Sequence, residues 1–299
     1  MKRLLITAFI ILSVSILKSQ ELDVPLPFNS SSTITADTIC VKYNLLPGDT
    51  LIYRVSGQDS LALNFQEPIL RKRIERHQYV VDSVDELKRI HITQTMTHFI
   101  WKESKGDIRN VERVTSTWLN FPVSYVIDES GRRYSYSVPD SSRAMISPGG
   151  PFSPFLFSDI GIYCEEVNKN WLVKSYDELV ENGVPFPLFN HTTLYRFQDD
   201  IDTLDEKCHR IELIRTGQGS YKYPVEDKMQ RITTKINSGG MLDISVERGI
   251  PVHYMMNQEQ KTTIKLPSGK EQPGWKYTLQ YFTLEELKRA KVPEEGNNK

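Results

Sequence analysis

The chain has 299 residues, and its 37 Lys and Arg against 38 Asp and Glu give a net charge of −1. No strong basic field exists to hold nucleic acid or an anionic membrane surface. A hydrophobic content of 39%, with 10% aromatics, describes a folded chain and excludes a disordered one.

Lys2 and Arg3 precede an almost unbroken apolar run from Leu4 to Leu17. The run is shorter than the roughly 20 residues of a membrane span, and its flanks fit a secretory signal peptide. Cleavage is expected after Ser19, leaving Gln20 as the new N-terminus; the other reading is an uncleaved anchor. The first cysteine is Cys40, far beyond the apolar run, which speaks against a lipid-modified N-terminus. Loss of residues 1–19 removes Lys2, Arg3 and Lys18 and brings the net charge to −4. The mature chain is thus read as exported to the periplasm or beyond, with no transmembrane segment. Its length suits one large all-β unit or two small domains.

Residues 20–40 read as a polar, flexible leader. From Val41 onward the pattern is that of strands. In "TLIYRVS" (50–56), Leu51, Tyr53 and Val55 share one face after a Pro47-Gly48 turn. "RHQYVVDSV" (76–84) and "RIHITQTMTHFIW" (89–101) read as a long hairpin turned at "DELK". In the second of these, strict alternation puts Ile90, Ile92, Met96, His98 and Ile100 on one side, interrupted by Gln94. His91, Thr93, Thr95, Thr97, Phe99 and Trp101 take the other side. That division fits an antiparallel sheet with one face on the core.

Further strands are expected at "STWLNFPVSYVID" and "RRYSYSV", on either side of an Asp128–Gly131 turn. After them come "NWLVKSY", "TTLYRFQ", "CHRIELIR", "MQRITTKI", "GMLDISVE", "PVHYMMNQEQKTTIKL" and "WKYTLQYFT". Arg248-Gly249 and Pro267-Ser268-Gly269 mark turns. Two short helices are predicted: Ser175 to Gly183, from capping-box spacing and a terminal glycine, and "LEELKRAK" (284–291). The fold class is therefore all-β, mainly antiparallel: a strongly curved sheet or half-open barrel with one or two short helices and a Pro/Gly/Phe-rich loop. A single domain is expected over 41–290, followed by a polar tail, 291–299.

The search for chemistry finds no catalytic constellation. His91 and His98 are seven apart and take opposite faces of an unbroken strand, so His98 reads as a hydrogen-bonded core residue. Neither H-E-x-x-H nor C-x-x-C occurs, which leaves no zinc motif. The acidic run "DDIDTLDEK" (199–207) could offer oxygen ligands to calcium, but it lacks the EF-hand glycine and terminal glutamate and reads as a hairpin loop. No G-x-S-x-G elbow is present, and "GQGS" (217–220) lacks the lysine of a phosphate loop. Neither a cofactor, a metal nor an enzymatic activity is expected. For the three cysteines the readings are a Cys164–Cys208 disulfide, allowed in an oxidising compartment, or buried free thiols.

The segment "ISPGGPFSPFLFSD" (146–159) combines prolines, paired glycines and phenylalanines that fit neither helix nor strand. "GVPFPLFN" (183–190) is read in the same way. At the mouth of a curved sheet such stiff loops could gate an apolar cavity; equally, their phenylalanines could plug the end of the core with nothing bound. Candidate ligand-binding residues are Phe152, Phe155, Phe157, Phe186 and Phe189 on these loops, with Ile92, Met96 and Ile100 on the wall.

"YNLLPGDTLIYRV", through Gly48, Leu51 and Tyr53, resembles the opening strand of secreted β-rich Bacteroidota proteins of unknown function. The Trp171 strand, "CHRIELIRTGQGSY" and "GMLDISVERGIPVHYMMNQ" agree with that pattern, as does a leading Gln20. Those families look like relatives of the periplasmic lipoprotein-carrier half-barrels. The resemblance implies a curved antiparallel sheet around an apolar cavity, and binding of acyl chains or a lipoprotein. The expected function is an exported cell-envelope protein holding a hydrophobic ligand in its concave face. The alternative is a structural or interaction protein of the envelope with a packed interior and a protein partner.

Overall fold

A computed structural model describes residues 38–139, 147–150, 152–161, 164–166, 169–181, 184–225 and 228–290. The expected signal peptide, residues 20–37 of the leader, Tyr163 and the 291–299 tail lie outside them.

The first half of the fold consists of β1 (Thr38–Cys40), β2 (Thr50–Leu63), β3 (Ile69–Val84), β4 (Ile90–Lys105), β5 (Ile108–Arg113), β6 (Pro122–Ile127) and β7 (Arg133–Ser137). The second half consists of β8 (Cys164–Glu166), β9 (Asn170–Glu181), β10 (Val184–Thr203), β11 (Glu206–Val225), β12 (Lys228–Ser245), β13 (Pro251–Lys265) and β14 (Glu271–Lys288). Twelve strands form one antiparallel sheet in the order β7-β6-β4-β3-β2-β14-β13-β12-β11-β10-β9, with β5 added to β4. Consecutive strands pair as hairpins almost throughout, and the C-terminal β14 returns to lie against β2. The sheet is curved and open: its edges, β7 and β9, approach each other without pairing.

Tertiary pairing overrides both predicted helices. Ser175 to Glu181 belongs to β9, with Ser175 opposite His191 and Leu179 opposite Phe186. Residues 284–288 belong to β14, where Leu284 lies opposite Tyr53 and Leu287 opposite Leu51. A short amphipathic helix has little stability of its own, whereas each of these segments completes a ladder along a long neighbour. Among the described residues there is no helix, and so none long and apolar enough to cross a membrane.

The cysteine readings are corrected as well. β1 and β8 form a small separate antiparallel sheet in which Cys40 lies directly opposite Cys164, and the two are joined by a disulfide. Thr38–Cys40, read as part of the leader, is thus tied to the domain. Cys208 is a buried free thiol on β11.

Alternation decides which side chains face inward. Leu51, Tyr53 and Val55 of β2, Tyr79 and Val81 of β3, Tyr254 and Met256 of β13 and Phe282 of β14 are all buried in one core. In β4 the alternation is broken. His98 pairs with Arg76 and Met96 with His77, so Thr97 is an extra, unpaired residue, a β-bulge. Ile90, Ile92, Gln94 and Met96 face inward before the bulge, and Phe99 takes the buried position after it. His98 is exposed, contrary to its expected place in the core, and Ile100 turns to the outer side. A single inserted residue reverses every later position, because the period of a strand is two.

Candidate functional site

The proline-rich segment is a plug at one end of the core. Phe155, Leu156, Phe157 and Ile160 are buried in the main hydrophobic cluster. Phe157 meets Tyr43 and Tyr79 edge to face, at 5.4 and 5.6 Å between centroids, and Phe155 packs on Tyr125 at 4.8 Å. Phe152 stands edge to face with Phe189 of β10 at 5.2 Å.

A buried irregular segment must find partners for its backbone outside any ladder, and side chains of the sheet supply them. Tyr43 donates to Ser158 O at 2.9 Å, Tyr195 to Asp159 O at 2.6 Å, Trp171 Nε1 to Ile160 O at 2.9 Å and Gln258 to Phe152 O at 2.9 Å. Burial raises the Tyr43 phenol well above its ordinary value, which keeps it a donor. Gly131 permits the close fit: its φ is +84°, and a Cβ there would sit 2.4 Å from Ser158 O. Of the two readings of this segment, the geometry of residues 152–160 matches the plug.

Beside the plug lies a cavity of about 570 Å³, within the range typical of small-molecule sites. It is enclosed by the inner faces of β2, β3, β4 and β14, by residues 113–118 and by the start of the plug, Ser147 to Pro154. Its apolar lining is Met96, Phe99, Trp101, Trp118 and Phe282, and its charged lining is Asp59, Arg71, Arg73, Glu75 and Lys276. The two meet at Trp101, which donates to Glu75 Oε1 at 3.3 Å and lies 4.7 Å beneath the Arg71 guanidinium.

The charged wall is ordered by strand register. Arg71, Arg73, Glu75 and His77 occupy successive inward positions of β3. Arg73 Nη1 binds Glu75 Oε1 at 3.1 Å, and its Nη2 donates to Gln280 of β14 at 2.7 Å. Arg73 Nε stands 3.1 Å from Asp59 Oδ2, an ion-pair distance whose angle does not make a hydrogen bond. Burial alone would raise Glu75, but Arg73 and His77 overcome it and hold the carboxyl at about 2. Glu75 Oε2 and His77 Nε2 are 2.8 Å apart. Gln94 then links His77 Nδ1, at 2.7 Å, to the Tyr125 hydroxyl, at 2.5 Å. Tyr125 also reaches Pro148 O of the plug at 2.7 Å, so one polar chain runs from the cavity wall to the plug.

The residues chosen from sequence divide among these features. Phe152, Phe155 and Phe157 are in the plug, and Phe155 and Phe189 border a smaller polar recess of about 120 Å³ at the seam between β7 and β9. Phe186 lies within β10, opposite Leu179; the second proline–phenylalanine stretch, read as a loop, is strand from Val184 onward. Its side chain is outside the described set. Ile92 is buried in the core, Met96 lines the large cavity, and Ile100 belongs to neither because of the Thr97 bulge.

Sequence reading missed the charged wall. "RKRIERHQ" (71–78) is polar at nearly every position, so it shows no apolar face. The available signal was period two: Arg71, Arg73, Glu75 and His77 share the parity of Tyr79 and Val81, which are core. The acidic run at 199–207 is the β10–β11 hairpin, with Leu204 and Asp205 at positive φ. Asp200 there pairs with His209 and Lys207. Among the described residues no group of three or more His, Cys, Asp or Glu side chains converges as a metal site.

No family model matches the chain, and no curated protein does. Among solved structures it is similar to lipovitellin, in a structure of lipid–protein interactions, at 12% identity and a TM-score of 0.46. That likeness covers 83% of this chain and 26% of the other, so the chain spans about a quarter of lipovitellin's length. It is also similar to a protein from Bacteroides fragilis described as exported and YmcC-like in fold, at 7% identity and a TM-score of 0.27, over 84% of this chain and 100% of that one.

Proposed function

We propose that this chain is an exported binding protein, without a catalytic step, that holds a lipid-like ligand in the 570 Å³ cavity between β2, β3, β4 and β14. The observation that carries the reading is the wall itself. Met96, Phe99, Trp101, Trp118 and Phe282 line space that the plug leaves open beside the packed core. Export rests on residues 1–19, with their basic start and apolar run.

The test is native mass spectrometry of protein purified from a bacterial periplasm, with organic extraction of the same sample. The expected result is a co-purifying mass that partitions as lipid. It is retained in Ile100→Ser, on the outer side, and lost in Phe99→Ser, with near-UV circular dichroism confirming that both variants remain folded. A clean apo mass that takes up neither added fatty acid nor phospholipid would overturn the reading in favour of a protein partner.

A further inference from the structure

We propose that the ligand is a single-chain amphiphile with an anionic head group, its head seated on Lys276 and its chain running along β14 toward Phe282, Phe99 and Met96. This rests on the cavity being a ligand site and goes further, to the chemistry of what enters it.

Lys276 is the first observation. The other charged groups of this wall have partners: Arg71 binds Glu103 at 2.8 Å, Arg73 binds Glu75, and Glu75 binds His77. Arg113, toward the rim, stands 3.8 Å from Glu103. Lys276 lines the same cavity with its side chain partly buried, and among the described residues it has neither a hydrogen bond nor an ion pair. Burial disfavours its charged form; Asp59 favours that form, Arg73 and Arg71 oppose it and Glu75 favours it more weakly, and the ammonium is lowered from the ordinary value. An anion beside it would supply the missing counter-charge.

The balance of the whole wall agrees. Arg71, Arg73, Arg113 and Lys276 line the cavity against Asp59 and Glu75. Even with Glu103, which Arg71 and Arg113 share, the cations exceed the carboxylates by one.

Geometry orients the ligand. Lys276 and Phe282 are six residues apart on β14, about 20 Å along a strand. Gln280, between them, is held by Arg73, and Glu75 lies in the same cross-strand row as Phe282 and Phe99, so the chain passes over the closed Arg73–Glu75 pair before it reaches Met96. Met96 and Phe99 of β4 complete the apolar end, with Pro148 and Pro154 of the plug lining it as well. A chain inserted there would leave only its head near Lys276.

Trp101 and Trp118 line the cavity, so quenching of tryptophan fluorescence can follow binding. Delipidated protein would be titrated with palmitate, lysophosphatidate and the uncharged monopalmitin. The anionic ligands are expected to bind at least roughly tenfold more tightly, the effect of one charge-assisted contact. Lys276→Met should abolish that difference, read as the ratio of anionic to neutral affinity within the variant, and Lys276→Arg should retain it. Binding of only one of the two anions supports the proposal and identifies the head group as carboxylate or phosphate. Equal affinity for anionic and neutral ligands, or an unaltered preference in Lys276→Met, overturns the head-group assignment and leaves the cavity reading standing. No uptake of any of the three, by a folded protein, overturns both.

Discussion

Arg73 on β3 reaches over the whole width of β2 to donate to Gln280 on β14, at 2.7 Å. Gly57 makes this possible. It lies opposite Arg73 on one side and Gln280 on the other, and a Cβ there would stand 2.8 Å from Arg73 Nε and 3.2 Å from its Cγ. The charged wall thus depends on a glycine placed for lack of bulk, in a strand where glycine otherwise costs stability.

Gly57→Ala is therefore expected to displace the guanidinium from Gln280 and Asp59 and to destabilise the fold by about 1–3 kcal/mol, as overpacking does. Urea unfolding measures the loss. Loss of the preference for anionic ligands in the same variant would show that Arg73 holds the wall in place.

Glu75 gives the protein a defined acid sensitivity. Its carboxyl sits at about 2 in the folded chain against an ordinary 4.5. The stability it contributes is fully present above the unfolded value and is lost as pH falls from there toward 2. The shift corresponds to about 3 kcal/mol. Urea midpoints followed from about pH 6 to about pH 3 should fall accordingly, and Glu75→Gln should flatten that part of the profile. The same variant should be less stable at neutral pH, because it leaves Arg73 with less buried counter-charge.

The plug and the cavity should separate in mutagenesis. Phe157 is fully buried between Tyr43 and Tyr79, so Phe157→Ala is expected to cost about 3–5 kcal/mol. Tyr43→Phe removes the donor to Ser158 O and should cost about 1–3 kcal/mol. Ligand affinity of the folded fraction should be unchanged in Tyr43→Phe and reduced in Met96→Ala, read by the same fluorescence titration. A loss of binding in Tyr43→Phe at full folding would make the segment a gate after all.

The disulfide joins residues 124 apart in sequence. Peptide mapping without reductant should recover Cys40 linked to Cys164, and Cys40→Ser should lower stability by about 2–5 kcal/mol. Cys208 should resist alkylation until the chain is unfolded. Burial and the nearby Asp243 push its thiol up to about 11, and the reactive form is the thiolate.

Much of the sheet was legible because its cues are local. Leu51, Tyr53 and Val55 alternate as read and are buried. The Asp128–Gly131 turn is where expected, with Gly131 at positive φ and Gly131 N bonded to Asp128 O. The segment from Ser175 was misread for the converse reason. Capping-box spacing is a local preference, and in β9 it yields to a ladder with β10 that no local window contains. The cavity was the least legible part, because its charged wall sits where a sequence reading expects solvent.

By itself, then, the amino-acid sequence determined a β-rich chain with one curved sheet's worth of alternating strands. Period-two patterning and turn residues act over a few positions and need no partner to be recognised. Only the tertiary structure decided that Thr97 bulges and turns Ile100 outward, that Cys40 meets Cys164, and that Phe157 fills the core. Only it showed that Arg73, Glu75 and Lys276 face inward into one cavity with Phe99. Each of these depends on which distant strand lies alongside, and register between strands far apart in sequence is set by the packing of the whole sheet.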